Sequence, residues 1–285
     1  GFIGLETAEA LRHRGLEVTL VELADQVLPP LDPEMSRSVQ RGLAKGRVDV
    51  RLSTSLTGIV PGDPADGEGA VRAELSDGQS VPADLVLLAV GVRPESSLAA
   101  QAGIEVNPRG AVRVDEHLRT SAPDVYAVGD AIEVVDAVTG QPAMVPLAGP
   151  ANRQGRAVAN HLFGRAGGRV PVLGTAIVRV FDIVAATTGR NQKALQAAGI
   201  AHHAVHLHPG HHAGYYPGAR TMHLKLLFAP DGRILGAQAT GTEGVDKRID
   251  VIATAIRAGL SVQDLAELEL SYATPFGSAK DPVYM

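Results

Sequence analysis

An α/β architecture followed by a smaller α+β unit is the fold class this sequence predicts, and three observations carry it. The chain opens on a glycine-rich turn, Gly1-Phe2-Ile3-Gly4, that runs into a helical pattern and then a strand rich in β-branched residues. A continuous apolar run from Leu85 to Val90 has the composition of a strand covered on both faces. Beyond a linker-like stretch containing Gly167, Gly168 and Pro171, short strands alternate with helical patterns, as in an antiparallel sheet with helices on one side.

The elements follow in order. Residues 5–14 form a first helix, which Gly15 ends by taking a left-handed conformation. Residues 17–22 form a short buried strand ending in Glu22. A glycine-rich turn, a helix and a strand ending in an acid make half of a Rossmann unit. A second helix spans Pro33–Lys45, with Asp32 as N-cap and Pro33 at the first helical position, where its missing N–H costs nothing. Residues 48–52 and 71–75 are strands, and Asp77-Gly78 signals a hairpin after the second.

Residues 120–131, TSAPDVYAVGDA, deliver another buried strand into a Gly-Asp turn, and a helix over 148–163 is closed by Gly164. After the linker, strands are predicted over 176–180, 222–228 and 234–239, with a Pro230-Asp231-Gly232 turn, and helices over 192–198 and 245–258. The expected domains are residues 1–94, 95–168 and 169–285.

Composition narrows the function classes. The 285 residues carry a net charge of -5 with no basic run, which argues against nucleic acid as a partner. The longest apolar run is far short of the roughly 20 residues needed to span a bilayer. No membrane partner is expected, and the cytoplasm is the default location. Cysteine is absent, so these residues hold no disulfide, no thiolate metal site and no cysteine nucleophile.

Gly1 and Gly4 match the last two glycines of a dinucleotide fingerprint, one admitting a pyrophosphate and the other allowing close helix packing. Glu22 stands at the distance expected of the acid that holds an adenosine ribose hydroxyl. A carboxylate there favours NADH, since it repels the 2'-phosphate of NADPH. Asp130 either binds a sugar hydroxyl or caps its turn, and spacing does not decide between them.

Three motifs in order, Gly1 to Glu6 (GFIGLE), Val90 to Pro94 (VGVRP) and Val125 to Ala131 (VYAVGDA), resemble those of the flavin-dependent pyridine nucleotide-disulfide oxidoreductases. The stretches His211 to Ala219 (HHAGYYPGA) and Glu269 to Met285 (ELSYATPFGSAKDPVYM) are similar to the dimerisation domain of the coenzyme A-disulfide reductases, NADH oxidases and persulfide reductases in that family. Tyrosine stands where glutathione-reductase-like relatives carry a His-Pro pair, which favours the coenzyme A group. The resemblance implies Rossmann-type nucleotide-binding domains followed by a dimerisation domain, the cofactors FAD and NAD(P)H, coenzyme A disulfide as substrate, and a homodimer.

By that resemblance Gly129 and Asp130 contact the flavin ribityl chain, and Leu147 and Ala148 begin a helix under the isoalloxazine. Gly91 borders the nicotinamide. Glu6 either orients a cation near the nicotinamide and flavin or is a first-turn acid favoured by the helix dipole. Tyr272 and one of Tyr215 or Tyr216 reach the partner subunit's disulfide site, where a phenol can protonate a departing thiolate. Tyrosines beside prolines also serve as plain interface packing. Phe276 is either core or a wall of the partner's flavin pocket.

The redox-active cysteine of the family lies upstream of the nicotinamide fingerprint. A chain without cysteine is therefore expected to be a fragment lacking the amino-terminal FAD domain, inactive alone, and shortened after KDPVYM, where some relatives continue into a rhodanese domain. NADH oxidase, persulfide reductase and a redox-inactive nucleotide-binding or dimerisation module are the alternatives. Six histidines between His202 and His212 have spacings that can bind zinc, yet no neighbouring carboxylate or cysteine in sequence completes a set, and no metal site is expected.

Overall fold

The computed structural model describes residues 1–63 and 69–285. Helix α1 (Phe2–His13) leads through Gly15, whose φ of 81° is the expected left-handed stop, into β1 (Val18–Val21). Helix α2 (Pro33–Lys45) keeps the predicted boundaries and delivers β2 (Val48–Arg51), which pairs parallel with β1 from Val18↔Val48 to Val21↔Arg51. β1 is half-buried rather than fully buried.

Strands β3 (Leu56–Pro61), β4 (Val71–Leu75) and β5 (Ser80–Ala83) form an antiparallel meander, with the β4–β5 turn at Asp77-Gly78. A short helix α3 (Ser97–Gln101), a two-stranded ribbon of β6 (Val134–Val135) and β7 (Pro142–Ala143), and helix α4 (Ala148–Leu162) follow.

The carboxyl-terminal unit is built from β8 (Ala176–Val180), β9 (Ile183–Gly189), α5 (Gln192–Ala197), β10 (His203–Leu207), β11 (His223–Phe228), β12 (Ile234–Gly241), α6 (Val245–Ala258) and α7 (Val262–Ala266). Its five strands lie in the order β10-β11-β12-β9-β8, every pair antiparallel.

Alternation along the strands explains how this sheet is covered. Ala186, Leu224, Ala237 and Ala239 join the apolar stripe Val245, Ile249, Ile252 and Ala255 of α6 in one core cluster. The neighbouring positions Val178, Val180 and Ala185 join Met35, Val39 and Leu43 of α2 and Leu5 and Ala8 of α1 in another. Helices therefore cover both faces, not one as predicted. The second cover comes from the amino-terminal unit, and every residue of β12 is buried.

Polar groups join the two units at that seam. Lys225 on β11 and Asp32 ahead of α2 are 0% and 1% exposed, with Nζ 2.8 Å from the carboxylate. The ammonium also donates to Glu34 and, at 2.7 Å, to Gln192 Oε1, so its three N–H groups each have an acceptor. Asp32 accepts from Gln238 Nε2 at 2.6 Å, from the Gln192 amide at 3.0 Å and from the Lys193 amide at 3.3 Å. The Asp32 amide donates in turn to Gln238 Oε1 at 2.7 Å. Asp32 is the N-cap residue of α2, as predicted, but its carboxylate does not cap that helix. It receives amides at the start of α5 instead, because the buried ammonium draws it across the seam.

Two predicted buried strands are absent. Residues 85–90 form no strand, and Leu85, Leu88 and Val90 are exposed, Val90 to 91%. An apolar run becomes a buried strand only where a neighbour supplies ladder partners, and none of the described residues pairs with it. It runs past α1, where a Cβ on Gly4 would sit 3.4 Å from that of Ala89. Residues 120–131 likewise make only an isolated bridge, Arg119↔Tyr126, before a 3₁₀ turn at Gly129–Ala131. Positive φ at Asp124 (59°) and Gly129 (78°) breaks the extension.

Burial pushes the Asp32 carboxyl up, but hydrogen bonds from Lys225, Gln192 and Gln238 and the ammonium charge outweigh it and hold it below 3.8. Burial also pushes Glu34 up, but the Lys225 hydrogen bond, a backbone hydrogen bond and the ammonium charge together outweigh it and hold it below 4.5. A carboxylate with a lowered folded-state pKa stabilises above its unfolded value and loses that contribution as pH falls through the folded one. Lys225→Met leaves Asp32 buried and unpaired and is expected to cost about 3–5 kcal/mol. Adding Asp32→Asn to Lys225→Met is expected to recover part of that loss. Urea unfolding of these variants near neutrality, and of the unsubstituted protein from pH 7 to pH 3, checks both.

Candidate functional site

The amino-terminal site begins where α1 does. Gly1 is the N-cap, no side chain caps the helix, and no acid lies in its first turn, so the first N–H groups are left for an incoming acceptor. Glu22, half-buried just after β1, accepts the Ala24 amide at 3.1 Å, and its other carboxylate oxygen lies 3.8 Å from the Gly1 nitrogen. The glycine turn and the strand-end acid are thus brought together. Gly91 is exposed, with φ of 104°, a conformation that favours glycine. Glu6 lies exposed on α1 but past its first turn, so it is not the first-turn acid of the alternative reading.

The second cluster lies at the start of α4. Leu147 is the N-cap without a side-chain cap, and Ala148 is the first, exposed residue of the helix. The Gly129–Ala131 turn rests on this helix: the Gly129 amide donates to Gln154 Oε1 at 2.7 Å, and a Cβ on Gly129 would lie 3.7 Å from Ala151. Asp130 is exposed beside it. Gln154, buried in mid-helix, was missed in the sequence, where a glutamine inside an amphipathic pattern looks like a solvated position.

The third cluster is aromatic. Tyr215 and Tyr272, far apart in sequence, bring their hydroxyls to 3.3 Å. Both are exposed, Tyr215 to 79% and Tyr272 to 48%, so the pair is presented outward. Tyr216 turns away and meets the His212 ring edge-on at 5.6 Å. Phe276, 74% exposed, is not core of this chain. The hydrogen bond with Tyr215, then desolvation, holds the Tyr272 phenol above the ordinary 10.0. It is protonated at neutral pH.

The histidine stretch is dispersed by the fold. His208 Nδ1 and His223 Nδ1 are 2.7 Å apart, so one donates and the other accepts. Burial, with the charges of His208 and Arg41, pushes His223 below 6.5. Glu34 lies 3.8 Å from His206, a carboxylate that sequence order did not bring near. Among the described residues no group of three or more histidines or acids is arranged to hold a metal ion, and no helix is long and apolar enough to cross a membrane.

Tyr215→Phe removes the partner that raises Tyr272, so the Tyr272 phenol is expected to fall back toward 10.0. ¹⁹F NMR titration of fluorotyrosine-labelled protein, assigned with Tyr272→Phe, reads that change. A Tyr272 titration unaltered by Tyr215→Phe would contradict the pairing.

The profile of the pyridine nucleotide-disulphide oxidoreductase family matches residues 1–155, and that of the family's dimerisation domain matches residues 175–276. The chain is 37% identical over 284 residues to an NADH oxidase of Methanocaldococcus jannaschii, covering 99% of this chain and 62% of that protein. It is 32% identical to a coenzyme A disulfide reductase of Staphylococcus haemolyticus, covering all of this chain and 63% of that one. The crystal structure of reduced Bacillus anthracis CoADR-RHD superposes with a TM-score of 0.92 at 47% identity, covering all of this chain and 50% of that one.

Proposed function

This chain belongs to the pyridine nucleotide-disulphide oxidoreductase family, and from that premise we propose that it serves in a flavoprotein passing reducing equivalents from NAD(P)H through FAD to coenzyme A disulfide. Residues 1–94 bind the nicotinamide nucleotide, residues 95–168 complete the FAD site, and residues 169–285 pair two subunits into a homodimer. The observation that carries the substrate assignment is the outward-facing phenol pair of Tyr215 and Tyr272.

The residues fit the cofactors by their geometry. The uncapped start of α1 suits a pyrophosphate, with Glu22 placed to accept from a ribose hydroxyl. That carboxylate disfavours a 2'-phosphate, so NADH is the preferred donor. Gly91 borders the nicotinamide, and Glu6 orients a neighbouring cation.

The Gly129 turn, held by Gln154, presents Asp130 to a ribityl hydroxyl, and the start of α4, with Leu147 as N-cap and the uncapped amide of Ala148 after it, suits the electron-rich edge of a flavin. When bound, FAD supplies hydride acceptance from a nicotinamide and delivery of the electron pair to a disulfide. These 285 residues contain no cysteine, so the thiolate that this chemistry requires is supplied from outside them.

Tyr272, held protonated beside Tyr215, donates its proton to the coenzyme A thiolate as it leaves, and Tyr215 keeps the phenol oriented. Phe276, exposed on the same tail, walls the partner subunit's flavin pocket. A second reading, reduction of oxygen rather than a disulfide, draws on the 37% identity to an NADH oxidase.

Steady-state assays of the full-length protein decide between them. Oxidation of NADH is expected to depend on coenzyme A disulfide, with NADPH a poorer donor. Tyr272→Phe is expected to lower disulfide turnover about 10²-fold, the lower end of general-acid contributions, while leaving reduction of the flavin by NADH in place. Rapid oxygen consumption indifferent to coenzyme A disulfide would overturn the disulfide reading.

A further inference from the structure

The phenol pair sits on two separate segments, the loop between β10 and β11 and the tail after α7. Because Tyr215 is largely and Tyr272 about half exposed, their own packing does little to hold the hydroxyls together, and the backbone beneath them must. One backbone bond joins the segments directly, from the Ala213 amide to the Gly277 carbonyl at 2.9 Å. The other link runs through Arg248 of α6, 1% exposed.

Its guanidinium reaches both segments at once. Nη2 donates to the His211 carbonyl at 2.9 Å and to Asp281 Oδ2 at 2.8 Å, and Nε donates to Asp281 Oδ1 at 3.3 Å. Nη1 donates to the Gly244 carbonyl at 3.2 Å, which ties the fork to the start of its own helix. Asp281 is buried and also accepts the Val283 amide at 3.1 Å, fixing the end of the tail.

The space for this fork is built into the chain. Gly244 has φ of 72°, and a Cβ there would fall 2.5 Å from Arg248 Nη1 and 3.3 Å from His211 Cβ. His211 is held in turn: its Nδ1 accepts the Arg220 amide at 3.1 Å and its Nε2 faces Glu243 at 3.3 Å. With His211 N donating to the Arg220 carbonyl at 2.9 Å, the base of the Tyr215 loop is closed over the guanidinium.

We propose that Arg248, through Asp281 and the His211 carbonyl, is a positioning residue that sets the Tyr215 loop and the Tyr272 tail in the register at which the two phenols meet. The inference deepens the proposed disulfide chemistry and rests on that reading for its kinetic consequence alone. Lysine does not replace this arginine, because an ammonium lacks the planar fork that spans the carboxylate and the carbonyl together.

The test uses the full-length, flavin-loaded protein with Arg248→Lys and, should that variant fail to fold, the isosteric Asp281→Asn. Amide exchange is expected to rise in both residues 211–217 and 269–277, and Tyr272 in ¹⁹F titration to fall toward the value it takes in Tyr215→Phe. The kcat for coenzyme A disulfide is expected to drop about tenfold, with reduction of ferricyanide by NADH unchanged. Combining Arg248→Lys with Tyr272→Phe is expected to add little to the loss in Tyr272→Phe alone, as for coupled residues.

A Tyr272 titration and segment exchange that match the unsubstituted protein in the folded variant would overturn the proposal, as would full additivity with Tyr272→Phe. An unsubstituted protein that reduces no coenzyme A disulfide would overturn the substrate assignment instead, while exchange and titration still decide the role of Arg248.

Discussion

One buried contact, the ammonium of Lys225 against the carboxylate of Asp32, determines how the two ends of this molecule are related. A buried pair gains little net stability over apolar residues of the same size, since desolvating both charges offsets most of their attraction. What it fixes is geometry. The ammonium has three acceptors and the carboxylate receives from four groups, so sliding α2 over the sheet breaks several bonds at once. The Gln238 side chain, bonded to Asp32 through both its oxygen and its nitrogen, adds a register mark at the centre of β12.

From that seam the remaining geometry follows. α2 and α1 are held on one face of the sheet, and α1 carries Gly1 and Gly4 beside Glu22. α6 packs on the opposite face and carries Arg248, which ties the tyrosine-bearing loop and tail to the same core. The amino-terminal glycine turn and the tyrosine-bearing segments are thus anchored through helices packed on opposite faces of one five-stranded sheet.

Much of this was legible in the sequence, and the exceptions have physical causes. Helices α2 and α6 and strand β4 have the expected limits because local signals define them: Pro33 opens α2, Gly244 and Gly259 bracket α6 in left-handed conformations, and Gly78 turns β4 into β5. Residues 85–90 were misjudged because hydrophobicity measures what a segment requires, not whether a neighbouring strand supplies it. Residues 120–131 were misjudged because a positive φ at Asp124 leaves no mark in a β-rich composition. At the candidate site, the tail motif pointed to Tyr272, but only the fold shows that Tyr215, and not Tyr216, meets its hydroxyl. Gln154 and Arg248 were invisible because long polar residues inside helices look like solvated faces, and their burial depends on partners far away in sequence.

If the seam makes the two units one cooperative body, their most protected amides must open together. Native-state hydrogen exchange under increasing denaturant measures this directly. The account expects amides of α2, of β12 and at the start of α5, Gln192 and Lys193 included, to converge on one opening free energy. Amides of α1 and α2 exchanging through a separate, lower-energy opening while β12 stays protected would contradict it.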